Sequence, residues 1–510
     1  MLCCPMHMAM MLPMGMGAAV AAPPPSEPPP SFIDGTAPKA TEWASRGDEH
    51  TKDLFDVAEP GCWVVLRGAT VWPMTGDEGL PNHDILVRDG VIRAVQPTGA
   101  ALPEGARVIE AQGQHVIPGL ADNHCHPPLM HISGNWAGMF GPQVKAEDLQ
   151  LPYDLLMFLF LSGGITRIQA MAGSAEDLAL RDSIRQGRLR GPAMRVASPV
   201  IDGYPLVWGS AISYGIGTPE GGRTAARRLQ ELGFDFAKPY TRLGLEAYDL
   251  LMDECKALGI EVTGHIPAAV SVEHALRKGQ RGVAHVFEYF YNDSESERRN
   301  LDMMARRARL SAELGVTVQS TLTVSMMFEY DIGQRPDAFK AAGVFDPVLR
   351  HLMRPAGPIV QMFSGNPQFV AQGTDCLLHS INMMKALKAE GVRIVPGTDM
   401  GNCNGTGPHT IHDELEWFVK DVGMTPLEAL RCATVNSAAH HGESSVSGTL
   451  ETGKRSDLVL LNADPSRDIG ATRQIAGVML GNAYLHRAAM DRGVERAKAI
   501  FARMPVPAAA

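Results

Sequence analysis

Basic residues are in short supply. The 510 residues hold 46 Lys and Arg against 56 Asp and Glu, a formal net charge of −10, and the isoelectric point is near 5.9. Phosphate backbones are bound by clustered cations, so this balance argues against nucleic acid as a partner. No stretch reaches the roughly 18 uninterrupted apolar residues that a membrane span needs. The cysteines Cys3, Cys4, Cys62, Cys125, Cys255, Cys376, Cys403 and Cys432 form no C-x-x-C pair, which leaves zinc-ribbon and thioredoxin readings without support. A chain this long can build its own core, so the thiols are expected to be mostly buried and free. The N-terminus has an apolar, Met-rich run from Met6 to Ala22 and a small-residue stretch Ala19-Val20-Ala21, but no Lys or Arg precedes them. An export signal without its charged region and a plain leader both stay open, and with them a cytoplasmic or exported location.

What is present is ordinary globular composition, 45% hydrophobic and 20% charged, arranged in three kinds of pattern. Residues 1–61 read as a leader followed by a Pro-rich linker from Ala22 to Pro30, and are expected to be disordered. From Cys62 to Ile117 come short β-branched runs, Trp63 to Val71 and Ile85 to Ile92, broken by Gly or Asp-Gly turns. From residue 118 to 446, short apolar strands alternate with longer helical stretches. The strands are Ile165–Ala170, Phe234–Lys238, Ile260–His265, Gly282–His285, Val316–Ser320 and Val392–Asp399; helices are expected at Glu246–Leu258, Val272–Lys278 and Pro426–Ala433. This alternation predicts an α/β fold, a parallel (β/α)₈ TIM-like barrel. A doubly wound sheet stays open, although no G-x-G-x-x-G follows a strand. Residues 326–387 are long for one connection and predict an inserted helical lid. Strands return at Ser456–Leu461 and Ile475–Leu480. Residues 62–117 and 447–490 are therefore expected to form one small composite β-sandwich domain from both chain ends.

Histidines and acids cluster at predicted strand ends. His124-Cys125-His126 follows a strand, and side chains two apart on a strand share a face. His265, His285 and Asp399 each close a strand. Taken singly, each is more often structural than catalytic. In barrel enzymes, though, reactive groups gather at the C-terminal strand ends. Lys238 ends the apolar run Phe234-Asp-Phe-Ala-Lys, where a lone ammonium would be poorly solvated. It either snorkels to a carboxylate or reacts with CO₂ to give a carbamate, an anionic oxygen ligand for divalent ions. Tyr240 either donates a hydrogen bond to a developing oxyanion or packs on the rim. Arg242 reads best as a surface residue. His131, His409 and His412 have nothing to separate them from loop histidines, and Met326-Met327-Phe328 reads as packing.

Together His124, His126, Lys238, His265, His285 and Asp399 resemble the ligand set of the amidohydrolase superfamily. Within it, the chain is similar to the imidazolonepropionase-like binuclear amidohydrolases and metal-dependent dipeptidases. The likeness is carried by Val116-Ile-Pro-Gly-Leu-Ala-Asp-Asn-His-Cys-His, Phe234-Asp-Phe-Ala-Lys-Pro-Tyr, Thr263-Gly-His-Ile-Pro, Gly279-Gln-Arg-Gly-Val-Ala-His and Gly397-Thr-Asp-Met-Gly. Thr425-Pro-Leu-Glu-Ala-Leu-Arg-Cys-Ala-Thr and Gly453-Lys-Arg-Ser-Asp-Leu-Val-Leu-Leu add to it. It runs from about Trp63 to Leu485 and departs from the family pattern at Cys125 and Met400. The resemblance implies two divalent ions, Zn²⁺ foremost. His124 and His126 would hold the more buried ion, His265 and His285 the more exposed one, and carbamylated Lys238 would bridge them. Asp399 would touch the buried ion and move a proton from a bridging water to the leaving amine. The implied activity is hydrolysis of a C–N bond in a small amide such as a dipeptide or N-acyl amino acid. A cyclic amide, ester or phosphotriester substrate, or a metal-free binding scaffold, are the alternatives; a homo-oligomer is left open.

Overall fold

The computed structural model describes residues 47–127, 152–207, 212–327, 367–400 and 408–503. The chain first lays down six strands: β1 (Asp56–Val57), β2 (Trp63–Val71), β3 (Leu80–Arg88), β4 (Val91–Pro97), β5 (Arg107–Glu110) and β6 (His115–Pro118). The β3–β4 hairpin turns on Asp89 and Gly90, at φ 53° and 73°. Two successive positive φ values match the right-handed twist of the flanking strands, the reason Asp-Gly is a hairpin signal.

A second set of strands then alternates with helices. These are β7 (Leu120–Cys125), β8 (Ile165–Ala170), β9 (Ala193–Gly203), β10 (Ser213–Ile216), β11 (Phe236–Pro239), β12 (Glu261–Gly264), β13 (Gly282–Ala284), β14 (Thr317–Gln319) and β15 (Arg393–Val395). All pair in parallel, in the order β7-β8-β9-β11-β12-β13-β14-β15, with β10 added to β9. The ring closes beyond β15. Asn123 N–H donates to Pro396 O at 3.0 Å, Asp399 N–H to His124 O at 2.7 Å and His126 N–H to Met400 O at 2.7 Å. The fold is thus an eight-stranded parallel barrel, buried on both faces as such sheets must be.

Helices wrap it: α1 (Tyr153–Ser162), α2 (Ala175–Arg185), α3 (Gly221–Leu232), α4 (Leu245–Leu258), α5 (Val272–Lys278), α6 (Leu301–Glu313), α7 (Leu322–Met327), α8 (Pro367–Ala389), α9 (Thr410–Lys420) and α10 (Pro426–Arg431). Their starts are written in the chain. Ser174 and Asp177 form a capping box on α2, and Thr425 and Glu428 do so on α10, with Pro426 inside its first turn. Where a helix ending at Ala433 was expected, α10 runs on through a π-helical turn, Cys432–Asn436.

The chain ends as β16 (Leu458–Leu461), β17 (Ile475–Leu480), β18 (Ala483–His486) and a last helix, α11 (Arg487–Phe501). These strands complete the first sheet in the order β1-β18-β17-β16-β6-β2-β3-β4, with β5 on β2. Leu458 to Leu461 lie antiparallel to Pro118 to His115, so strands from both chain ends share one sheet. It encloses its own core, including Leu66, Ile85, Val116, Leu460 and Met479.

One expectation needs correction, one element was not expected, and one expected segment falls largely outside the described residues. Residues 47–61, assigned to a disordered linker, are packed: Leu54 and Phe55 join the barrel's core and β1 pairs with β18. The physical reason is that this stretch carries apolar side chains and acids with partners, unlike the Pro-rich run before it. The helix α11, unassigned from sequence, buries Met490, Val494 and Phe501. Of the inserted segment 326–387, residues 328–366 lie outside the described residues; Met326 and Met327 end α7, and α8 covers the rest.

Candidate metal centre

The C-terminal ends of the barrel strands bring six of the predicted side chains together. His124 sits on β7 with no exposure, and His126 follows it. Lys238 comes from β11, His265 follows β12, His285 follows β13, and Asp399 lies in the segment closing the barrel; each is 4% exposed or less. The ring centroids of His124 and His126 are 5.4 Å apart, those of His124 and His285 4.4 Å, and those of His265 and His285 4.7 Å. Asp399 Oδ1 lies 2.9 Å from His126 Nε2 and 3.3 Å from His124 Nε2. One donor atom from each of these three residues falls within 4.8 Å of the others.

Local irregularities aim these groups. Between the pairs Phe236–Ala197 and Lys238–Val200, β9 advances one residue more than β11. That bulge falls at Ser198 and Pro199, and Ser198 Oγ accepts the Lys238 N–H at 2.9 Å. The bulge thus lies on β9 directly beside the buried lysine. A β-carbon on Gly397 would lie 2.6 Å from His124 Cβ, so only glycine lets the segment carrying Asp399 approach β7 this closely. His285, Thr321 and Asp399 have φ of 71°, 43° and 52°. Non-glycine residues avoid this region, and such strain gathers where surrounding contacts enforce it at functional sites.

A second layer of partners fixes the donors. Gln319 Nε2 donates to Asn123 O at 2.8 Å, which turns its Oε1 toward His124 Nδ1, 3.0 Å away. His124 therefore carries its proton on Nδ1 and its lone pair on Nε2, the nitrogen beside Asp399. His285 Nδ1 meets Thr321 Oγ1 at 2.7 Å. Glu288 Oε1 lies 2.7 Å from His265 Nδ1, while its Oε2 accepts the Ile266 N–H at 2.9 Å. Asp122 accepts from the backbone N–H groups of His124 (3.2 Å) and Thr398 (3.0 Å) and from the Thr398 hydroxyl (2.5 Å). These partners went unread in the sequence. Asp122 and Glu288 had a weak signal, two residues before His124 and three after His285; Gln319 and Thr321 had none beyond lying at a strand end.

Burial sets the electrostatics. It holds the His124 imidazole well below its usual range, aided by His285, Lys238, His126 and His265. His126 is lowered by burial too, against its Asp399 hydrogen bond. Burial brings Lys238 down to about 8, opposed by Asp399 and Glu288, and pushes Glu288 up to about 8. A neutral His124 imidazole with its Nε2 lone pair facing Asp399, a second buried imidazole beside the same carboxylate and an amine with a lowered pKa are a donor set that fits divalent cations.

The remaining candidates separate. Tyr240 is 4% exposed and its ring packs 4.2 Å from that of His265, so it borders the centre. Arg242 binds the Pro205 carbonyl at 2.5 Å. His409 and His412 lie apart from the centre: His412 Nδ1 meets Thr472 Oγ1 at 3.0 Å, and the His409 ring neighbours Gly163 at the end of α1. His131 and Gly401, and the side chains of Met326 to Phe328, fall outside the described residues. Among the described cysteines Cys125, Cys255, Cys376 and Cys432 are buried and Cys62 is exposed.

A parallel barrel with a composite β-sheet beside it, and a His-His-Asp group at the strand ends, define a hydrolase of the metal-dependent class. The chain belongs to the amidohydrolase family, whose profile matches residues 115–484. It is 26% identical over 425 residues to the imidazolonepropionase of Sphingopyxis alaskensis, covering 82% of this chain and 95% of that one. It is 30% identical over 145 residues to a 5-methylthioadenosine/S-adenosylhomocysteine deaminase of Symbiobacterium thermophilum, spanning 24% of this chain and only 33% of that protein. Among solved structures, a putative prolidase from Bifidobacterium longum superposes with a TM-score of 0.63 at 22% identity, covering 86% of this chain and all of that one. No helix among the described residues is long and apolar enough to cross a membrane.

Proposed function

We propose that this amidohydrolase cleaves the C–N bond of a small amide, a dipeptide or N-acyl amino acid, at a centre of two divalent ions, Zn²⁺ foremost. The observation that carries the reading is the convergence of four imidazoles, Lys238 and Asp399 on one end of the barrel. His124, His126 and Asp399 would hold one ion, His265 and His285 the other. Lys238 would join them as a carbamate: its neutral amine adds to CO₂ and releases a proton. The lowered Lys238 supports this, because only the unprotonated amine reacts. Bound divalent ions supply Lewis acidity, which activates water and polarises the scissile carbonyl.

The rest falls to the chain's own groups. Asp399 accepts a proton from the attacking water and delivers it to the leaving nitrogen, which departs as a neutral amine. The Tyr240 hydroxyl donates to the carbonyl oxygen as charge develops there. Gln319 and Thr321 hold the His124 and His285 rings in place, and Glu288 lies against His265. The likeness to an imidazolonepropionase, over 95% of that protein, favours a second reading, in which an imidazolone ring, itself a cyclic amide, is opened by the same centre.

A screen of dipeptides, N-acyl amino acids and cyclic amides with the zinc-loaded protein tests both. Hydrolysis in either of the first two classes supports the main reading, and turnover of cyclic amides alone moves the assignment to the second. No turnover in any class by protein holding two ions per chain would overturn both.

A further inference from the structure

We infer that Glu414, a buried carboxylate outside the ligand set, is a positioning residue that holds the turn after β14 so that Thr321 orients His285 and Gly397 leads into Asp399. The inference rests on the reading above that these groups form a metal centre. Glu414 lies on α9 with no exposure. Its Oε1 accepts the Ser320 hydroxyl and the Leu322 N–H, the latter at 3.0 Å. Its Oε2 accepts the Thr323 N–H at 3.0 Å and the Thr323 hydroxyl at 2.8 Å. One carboxylate thus binds residues 320, 322 and 323, on either side of Thr321.

Thr321 is the residue that needs holding. It is β-branched and sits at φ 43°, a region such residues leave unless their surroundings forbid it. In that conformation its Oγ1 reaches His285 Nδ1 at 2.7 Å. The same turn touches the segment that carries Asp399. A β-carbon on Gly397 would lie 3.1 Å from Thr321 Cγ2, and the Thr323 hydroxyl donates to Gly397 O at 3.5 Å. Four hydrogen bonds to one carboxylate therefore over-determine a strained turn that serves both sides of the centre. Capping of the short helix α7 explains the bonds to Leu322 and Thr323. It does not explain why Thr321, between the bonded residues, points at a histidine.

The test is metal binding and its spectrum, beside activity. Glu414→Gln keeps the volume but turns an amide donor toward two of the four donors. The expected result is a 10- to 100-fold weaker affinity for at least one Zn²⁺, the range seen when support for a metal ligand is lost. The visible absorption of the Co²⁺-substituted protein should change, and kcat should fall with KM little moved. Thr321→Val removes the hydroxyl at the end of the relay and should act alike, while Thr321→Ser should stay near wild type. The double variant Glu414→Gln/Thr321→Val should lose no more affinity than the worse single one.

A folded Glu414→Gln with wild-type Zn²⁺ affinity and Co²⁺ spectrum overturns the inference. So do losses in the double variant that multiply. If Glu414→Gln does not fold, the Val and Ser variants of Thr321 decide: a Val variant indistinguishable from wild type overturns it. A wild type that takes up no ion sinks the metal-centre reading itself.

Discussion

Lys238 separates a binuclear centre from a mononuclear one more cleanly than any histidine does. An ammonium at that position would repel divalent ions, and a carbamate would bind them. Its surroundings favour the conversion: the side chain is 2% exposed, and burial brings its amine to about 8, with Asp399 and Glu288 the nearby acids that oppose the shift. Lys238→Ala should therefore lose at least one of two ions per chain, and millimolar acetate or formate should restore part of the metal content by supplying two oxygens. Elemental analysis beside wild type, with the mass of the carbamate sought in the intact protein, measures it. Unchanged stoichiometry in the alanine variant would leave a mononuclear site. The candidate ligands were legible because they fall at or just beyond predicted strand ends, where a polar side chain is conspicuous. Glu288, Gln319, Thr321 and Glu414 were not, because a buried polar residue betrays its partner only once distant strands are adjacent in space.

Among the elements, the strands with uniform apolar runs were readable and β9 was not. Ile475–Leu480 and Trp63–Val71 match their predicted bounds, while Phe234–Lys238 begins two residues later, as β11. The eleven residues of β9 contain Pro199, which removes a donor and demotes a run to an edge or a bulge. Here it marks the bulge beside Lys238, so the feature that hid the strand lies against the site. Ser198 makes that bulge tolerable by accepting the Lys238 N–H. Ser198→Ala leaves this buried donor without its acceptor, at a cost of about 1–3 kcal/mol. Urea denaturation should show that loss, together with weaker metal binding because the lysine's backbone anchor is gone. A variant with wild-type stability and metal content would mean the bulge is held by the strand pairing alone.

At the scale of the whole molecule, the two chain ends do more than close the composite sheet. The family match stops at residue 484, yet α11 follows it and lies against the first helix of the barrel. A β-carbon on Gly493 would sit 2.2 Å from Phe158 Cζ, so α11 and α1 touch through a glycine. Residues 47–55 pack into the same corner. His50 Nδ1 lies 3.0 Å from Asp154 Oδ1, and Arg496 pairs with Asp53 at 2.7 Å and reaches the His50 carbonyl. The last helix and the segment before β1 thus form one clasp over α1, whose ten residues are all buried. Removing residues 487–510 would expose that helix and forfeit the burial of Met490, Val494 and Phe501. At about 1.5–3 kcal/mol for each large side chain, the loss is about 5 kcal/mol or more, a large share of the roughly 5–15 kcal/mol that stabilises a folded domain. The truncated chain should accumulate as aggregate, or melt well below the full chain. Gly493→Val tests the same contact without deletion and should also lower the midpoint, since neither the α11 backbone nor the Phe158 ring can move away freely. Arg496→Ala should cost about 1 kcal/mol, because its pair with Asp53 is partly solvent-exposed. A truncated chain that melts with the full-length protein would show that the barrel stands without its clasp.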